Sequence, residues 1–401
     1  MQKRFERSTT RLLTWVTLFF ILTPTASGVV FPSTTITGSS FIPAQSETIW
    51  EILEHDYVVN GASPRDIKFI NATHGWVISQ NGSSLGDGII LHTQNGGDSW
   101  QLQHSNKSQF YHEIMILDGR TLWVTGINGL CHTEDGGLSW NMTYLGDSND
   151  VFYGIYFING THGWTASNVY LYKTCDAGFS WEHVDNWTFS DRARDIYFTS
   201  ANEGWAIGFY GIYHTGDGGD TWEKSFNRGG WSMSFVNENE GWAVGDSVLA
   251  HMVDGSSWVE QETPQTSPIP LLSPYLTDII FLDKNNGWVV GGETEVAYTP
   301  NGGWDWYAQE FPIDVRVKAV DFINVTHGWA VGSDGNIFRT SHGNSLGKRL
   351  WTGMTDPLIL TVVGAFVAVV AIISGALIRL RRKRRTAHRL PNVASESPSI
   401  E

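Results

Sequence analysis

Short runs of alternating apolar and polar residues recur along most of the chain, among them Ile67-Lys68-Phe69, Ile155-Tyr156-Phe157, Ile196-Tyr197-Phe198 and Ile279-Ile280-Phe281. Alternation with period two predicts short, half-buried strands. Each run leads into Gly-Trp: Gly75-Trp76, Gly163-Trp164, Gly204-Trp205, Gly241-Trp242, Gly287-Trp288 and Gly328-Trp329, with Leu122-Trp123 in the second slot. The Trp spacings are 47, 41, 41, 37, 46 and 41. A third apolar run follows each pair, then a turn, then a fourth run. Four short strands every ~40–45 residues predict a propeller blade.

The turn between third and fourth strands is itself repeated. It reads Thr93 to Trp100 with Asn95, Thr133 to Trp140 with Asp135, Thr174 to Trp181 with Asp176, and Thr215 to Trp222 with Asp217. Two copies are degenerate: Met252 to Trp258 around Asp254 is one residue short, and Thr299 to Trp306 carries Asn301. The acidic or amide side chain is expected to accept N–H bonds of its own turn, Gly to supply positive φ, and Trp to plug the gap between sheets. The seventh unit, Val317 to Asn344, ends without its Trp. Glu47 to Ile52 resembles the missing fourth strand, and Trp50 fits the empty slot. An all-β, seven-bladed propeller over residues 48–344, closed by an N-terminal strand that removes its free edges, is therefore predicted.

Composition agrees. The 401 residues include 19 Trp and 43 Gly, which disfavours both disorder and helical bundles. The termini change the topology. Lys3, Arg4, Arg7 and Arg11 precede an apolar run ending in Thr25-Ala26-Ser27, the pattern of a secretory signal peptide over 1–27, with an uncleaved anchor as the alternative. Residues 28–47, rich in Ser, Thr and Pro, are expected to be a flexible leader. Leu358 to Ile378 carries no charge over 21 residues and predicts a transmembrane helix. Arg379, Arg381, Arg382, Lys383, Arg384 and Arg385 follow it, placing a basic, disordered tail (379–401) in the cytoplasm. Residues 345–357 are expected to be a stalk. A single-pass type I cell-surface protein results. The two ends carry 11 of the 26 basic residues but few of the acids, leaving 15 basic against 38 acidic between them, a net of −23. That charge excludes nucleic acid as a partner.

A turn of Ser/Thr-x-Asp-x-Gly-x-x-Trp resembles the Asp-box, or BNR, repeat. Combined with Phe-x-Asn-x-x-x-Gly-Trp it resembles the propeller family of photosystem II stability/assembly factors, over roughly 300 of the 401 residues. The resemblance implies an exported or lumenal protein-binding module without catalytic activity, carrying an Arg patch on one face. The C-terminal span and basic tail depart from that family.

Loops leading into the innermost strands and loops joining the second and third strands, on the face opposite the Asp-boxes, are the expected partner-binding surface. The lead-in loops hold Arg65, Phe110, Tyr111, His112, Tyr153, Arg192, Arg194, Arg228, Trp231, Tyr275 and Arg316. Arg with aromatic neighbours suits an acidic peptide or other anion; scattered surface Arg paired with local acids is the competing reading. The alternative function is an extracellular glycan-binding or sialidase/glycosidase-like propeller. A glycosidase needs two carboxylates about the scissile bond. No Arg-Ile-Pro stretch occurs, and Glu113 beside Tyr111 is the nearest carboxylate–Tyr candidate. Asp66, Asp195 and Asp278 recur just ahead of the Ile-x-Phe runs, which suggests a structural role. Dispersed His residues give no metal-ligand pattern, although calcium on acidic turns is compatible with the composition, and no cofactor is indicated. Cys131 and Cys175 lie on neighbouring blades of an exported domain, where a disulfide is allowed. Seven Asn-x-Ser/Thr sequons, at Asn71, Asn81, Asn106, Asn141, Asn159, Asn186 and Asn324, are glycosylation candidates.

Overall fold

The computed structural model describes residues 49–53, 62–81, 86–107, 109–184, 191–246, 248–261, 275–292, 295–346 and 348–352. The expected signal peptide, leader, transmembrane helix and tail lie outside the described residues, as does Asn186. Among the described residues no helix is long and apolar enough to cross a membrane.

Seven antiparallel sheets form seven blades. Their innermost strands are Ser63–Phe69, Tyr111–Ile116, Phe152–Phe157, Asp195–Phe198, Ser232–Asn237, Leu276–Phe281 and Val317–Phe322. Each neighbours the next around the ring. The seventh sheet is completed by Glu51–Leu53, which pairs with Ile337–Thr340, and Trp50 is fully buried beside it. The N-terminal closure expected from the missing Trp is therefore present.

Phe at the end of each inner strand explains the Gly-Trp repeat. Trp164, Trp242, Trp288 and Trp329 stack on the Phe of the following blade, with ring centroids 3.6–3.8 Å apart. The same Phe meets its own blade's box Trp edge-on, as in Phe69–Trp100, Phe198–Trp222 and Phe281–Trp306. Trp50 makes the equivalent contact with Phe322. The Phe ring also lies over the Gly that precedes Trp in its own blade, where any Cβ would collide with it. Blade two is the exception that fits the rule: Ile116 replaces the Phe, and Leu122 paired opposite it replaces the Gly.

The box turns are hydrogen-bonded internally. Thr174 Oγ1 donates to Asp176 and accepts the Gly178 N–H, while Asp176 accepts the Ser180 N–H. Thr93, Thr133, Thr215 and Thr299 repeat that arrangement around Asn95, Asp135, Asp217 and Asn301. In the short copy Asp254 accepts from the N–H groups of Ser256 and Ser257. The first box Gly adopts φ near +75° in most blades; blade three holds Ala177 there, at φ +66°.

Two expectations are corrected. Cys131 and Cys175 are both free thiols: Cys131 is buried within its strand, whereas Cys175 stands exposed on the box turn at the rim. Within the expected stalk, Lys348–Thr352 pairs antiparallel with Asp305–Gln309, giving the sixth sheet a fifth strand.

Candidate functional site

The ring brings together two polar groupings. The first surrounds the axis. Asp66 accepts the N–H of Ile114, Glu113 that of Ile155, Asp195 that of Met233, Asp278 that of Val320 and Asp321 that of Phe69. Each carboxylate thus ties its blade to the inner strand of the next. Ser234 does the same for Phe281. Blade three has Gly154 instead, close against Asp195 and Ile196 of blade four, where a Cβ would be tight against their backbone. Burial pushes the Asp66 carboxyl up to about 6 and Asp195 up to about 7, against the pull of Lys68 and of backbone N–H donors. Glu113, Asp278 and Asp321 are shifted upward for the same reason. Burial alone would lower the Lys68 ammonium; Asp66, Asp321, Asp278 and Glu113 together hold it above its usual range. Glu113 therefore serves the ring. Among the described residues no group of three or more His, Cys, Asp or Glu is arranged to hold a metal ion.

The second grouping lies on the lead-in face. Arg65 sits 4.4 Å above the Phe110 ring. Arg194 is enclosed by three rings, with centroids at 4.0 Å (Phe209), 4.2 Å (Trp231) and 4.8 Å (Tyr153). His112 bridges the two arginines, 5.0 Å from Phe110 and 4.6 Å from Tyr153. Burial, then Arg65 and Arg194, drives its imidazole down to about 3, so it is neutral. A continuous strip of two cations and the rings between and beside them results, running from blade one to blade five. The Nε atoms of Arg65 and Arg194 are buried without hydrogen-bond partners. Arg65, Arg192, Arg194 and Arg316 have no carboxylate within ion-pair distance among the described residues.

Several expected residues have partners of their own within the fold. Tyr111 is buried, 1% exposed, against Gly88 and Cys131 between blades one and two, so it offers nothing to a partner. A register shift between Tyr111 and Ile114 turns it inward. Arg228 is drawn to Glu260 in an ion pair. Trp231 donates its indole N–H to Asp246 (2.9 Å), and exposed Tyr275 bridges to Asp246 through the backbone.

Three contributors were missed in the sequence. Phe209 belongs to a loop between second and third strands, held by buried Asp191, which accepts the N–H groups of Phe209 and Tyr210. Lys318 lies near Arg65 and Arg316; burial, then those two cations, lowers its ammonium to about 8. Its signal was available, since it lies two residues beyond Arg316 on an alternating strand. Asp246, with Phe209, Tyr210, Arg228 and Trp231, lines an open hollow of about 350 Å³.

Comparison with known proteins bears on this geometry. Residues 42–149 match the family described as photosynthesis system II assembly factor YCF48. The photosystem II assembly lipoprotein Ycf48 of Synechococcus sp. (strain CC9902) is 26% identical over 111 residues, 27% of this chain and 31% of that protein. The chain thus matches less than a third of that relative's length. A solved structure described as YCF48 bound to D1 peptide is 19% identical, with TM-score 0.58, covering 74% of this chain and 98% of that one. YCF48 from Cyanidioschyzon merolae gives 15% identity and TM-score 0.57, over 74% of this chain and 100% of its own. A streptogramin B lyase structure is similar too, at 12% identity and TM-score 0.59, covering 72% and 97%. At such identities these structures speak for the fold, and the resemblance to the assembly-factor family read from the boxes and Gly-Trp pairs has a match of its own.

Proposed function

We propose that this chain is a non-enzymatic binding or assembly module, held outside the cytoplasm by its C-terminal span, which takes an acidic segment of a protein partner onto the Arg/aromatic strip. The observation that carries the reading is the pair of enclosed guanidinium groups, Arg65 and Arg194, with buried Nε atoms lacking partners. Rings that fix these side chains in advance reduce the ordering cost of binding, and carboxylates supply the counter-charge that the two guanidinium groups lack among the described residues. The similar structure described as bound to a D1 peptide supports a peptide as the ligand class. The axial carboxylates are committed to blade junctions, which argues against their use as a glycosidase pair.

The test uses the full chain in detergent and fluorescent peptides, one acidic and one with its carboxylates amidated. The acidic peptide should bind the wild type and lose tenfold or more in affinity, about 1.4 kcal/mol, in the Arg65→Ala/Arg194→Ala double variant. Equal binding by the variant, or by the amidated peptide, would sink the proposal.

A further inference from the structure

The strand Lys348–Thr352 fixes where the chain leaves the propeller. It runs antiparallel to Asp305–Gln309, and Thr352 is the register partner of Asp305. Asp305 belongs to the box turn of blade six, where its N–H is bonded to Asn301, so the chain exits on the box face. Five residues, Gly353 to Pro357, separate Thr352 from Leu358, where the uncharged run begins. Fully extended, that connection reaches about 20 Å, too short to carry the chain around the rim to the opposite face of a seven-bladed ring.

The box face has apolar tips at the matching place. The residue after the two positive-φ box positions is Leu138 in blade two, Phe179 in blade three and Trp304 in blade six, exposed by 88%, 77% and 55%. Trp304 adjoins Asp305 at the exit and is itself exposed. Trp is enriched where protein meets the headgroup region of a bilayer. Asp98 and Asp220 hold the equivalent tips of blades one and four, so the contact suits uncharged headgroups and stays shallow.

We infer that the box face is turned toward the bilayer, with Trp304 seated in its headgroup region, and that the Arg/aromatic strip is thereby presented away from the membrane. The inference rests on the anchoring proposed above. It adds an orientation: the partner is met from the aqueous side rather than within the lipid.

The experiment reconstitutes the full chain in phosphatidylcholine vesicles, in a Cys175→Ser background that leaves only buried Cys131. A dye is attached at Trp304→Cys or, on the opposite face, at Tyr210→Cys, and quenched by nitroxide-headgroup lipid. Quenching should be several-fold stronger at 304 than at 210. Vesicle flotation with equal quenching, or stronger quenching at 210, overturns the orientation alone. Failure of the protein to float with the vesicles overturns the anchoring and the orientation together.

Discussion

The two faces of the ring treat their polar groups in opposite ways. On the box face, each Asp or Asn is satisfied by the Thr, Ser and backbone N–H groups of its own turn; side-chain and backbone donors from Ser180 pull the exposed Asp176 carboxyl down to about 2. On the lead-in face, cations lie over rings, and several lack an acidic partner among the described residues. The first arrangement is repeated blade after blade; the second breaks the repeat. Repetition here marks what every blade needs to stand against its neighbour, and departure from it marks what the molecule offers to others.

The largest effect should come from breaking the repeated part. Trp288→Ala removes a fully buried indole stacked on Phe322 and donating to the Gly343 carbonyl. It should cost about 3–5 kcal/mol, read by urea denaturation; a loss under 1 kcal/mol would mean that blades cohere by something other than these stacks. The axis comes next. With its folded-state pKa raised to about 7 from 3.8, Asp195 binds its proton more readily in the native state than in the unfolded one. Its contribution is therefore fully present below pH ~4 and lost as pH rises through ~7. Buried histidines act oppositely: burial, chiefly, lowers His92 and His251 to about 4, so their contribution fades as pH falls from ~6.5. The informative quantity is thus a difference. Relative to Asp195→Asn, which keeps an acceptor for the Met233 N–H, the wild type should gain stability on acidification from pH 8 to 5. A pH-independent gap in melting temperature would show that the carboxylate is already protonated throughout, or ionised without penalty. The smallest effect belongs to blade three's box. Ala177 pays the left-handed penalty at φ +66° where the five other boxes use Gly, so Ala177→Gly should stabilise by roughly 0.5 kcal/mol after Gly's own entropy cost. Destabilisation would instead assign Ala177 a packing role.

Blade number, the box turns and the closing role of Trp50 were legible because each is a local pattern recurring at a near-constant period. Leu122 in place of Gly was visible as an irregularity, and its cause, the missing Phe ring at Ile116, became clear only with the strands paired. What was illegible depends on register or on closure of the ring. Tyr111 reads as a surface residue until the shift beside it turns the ring inward. Cys131 and Cys175 share neighbouring blades but occupy a strand interior and a rim. Lys68 reads as an ordinary polar position in an alternating strand; only closure brings carboxylates of blades one, two, six and seven around its ammonium. Phe209 and Asp191 belong to loops with no repeat to align them.

The closing strand has a consequence for how the molecule is made. Glu51 is paired through its carboxylate with Arg339, 288 positions later in the chain. At ~5–20 residues per second, synthesis leaves that first strand waiting for on the order of 15–60 s before its partner exists. Throughout that interval Trp50 has no slot and the strand beside it has a free edge. Six blades can form in order of emergence, but the ring becomes a ring in a single late event, so a nascent chain stalled or cut before blade seven is an open arc with two unsatisfied ends.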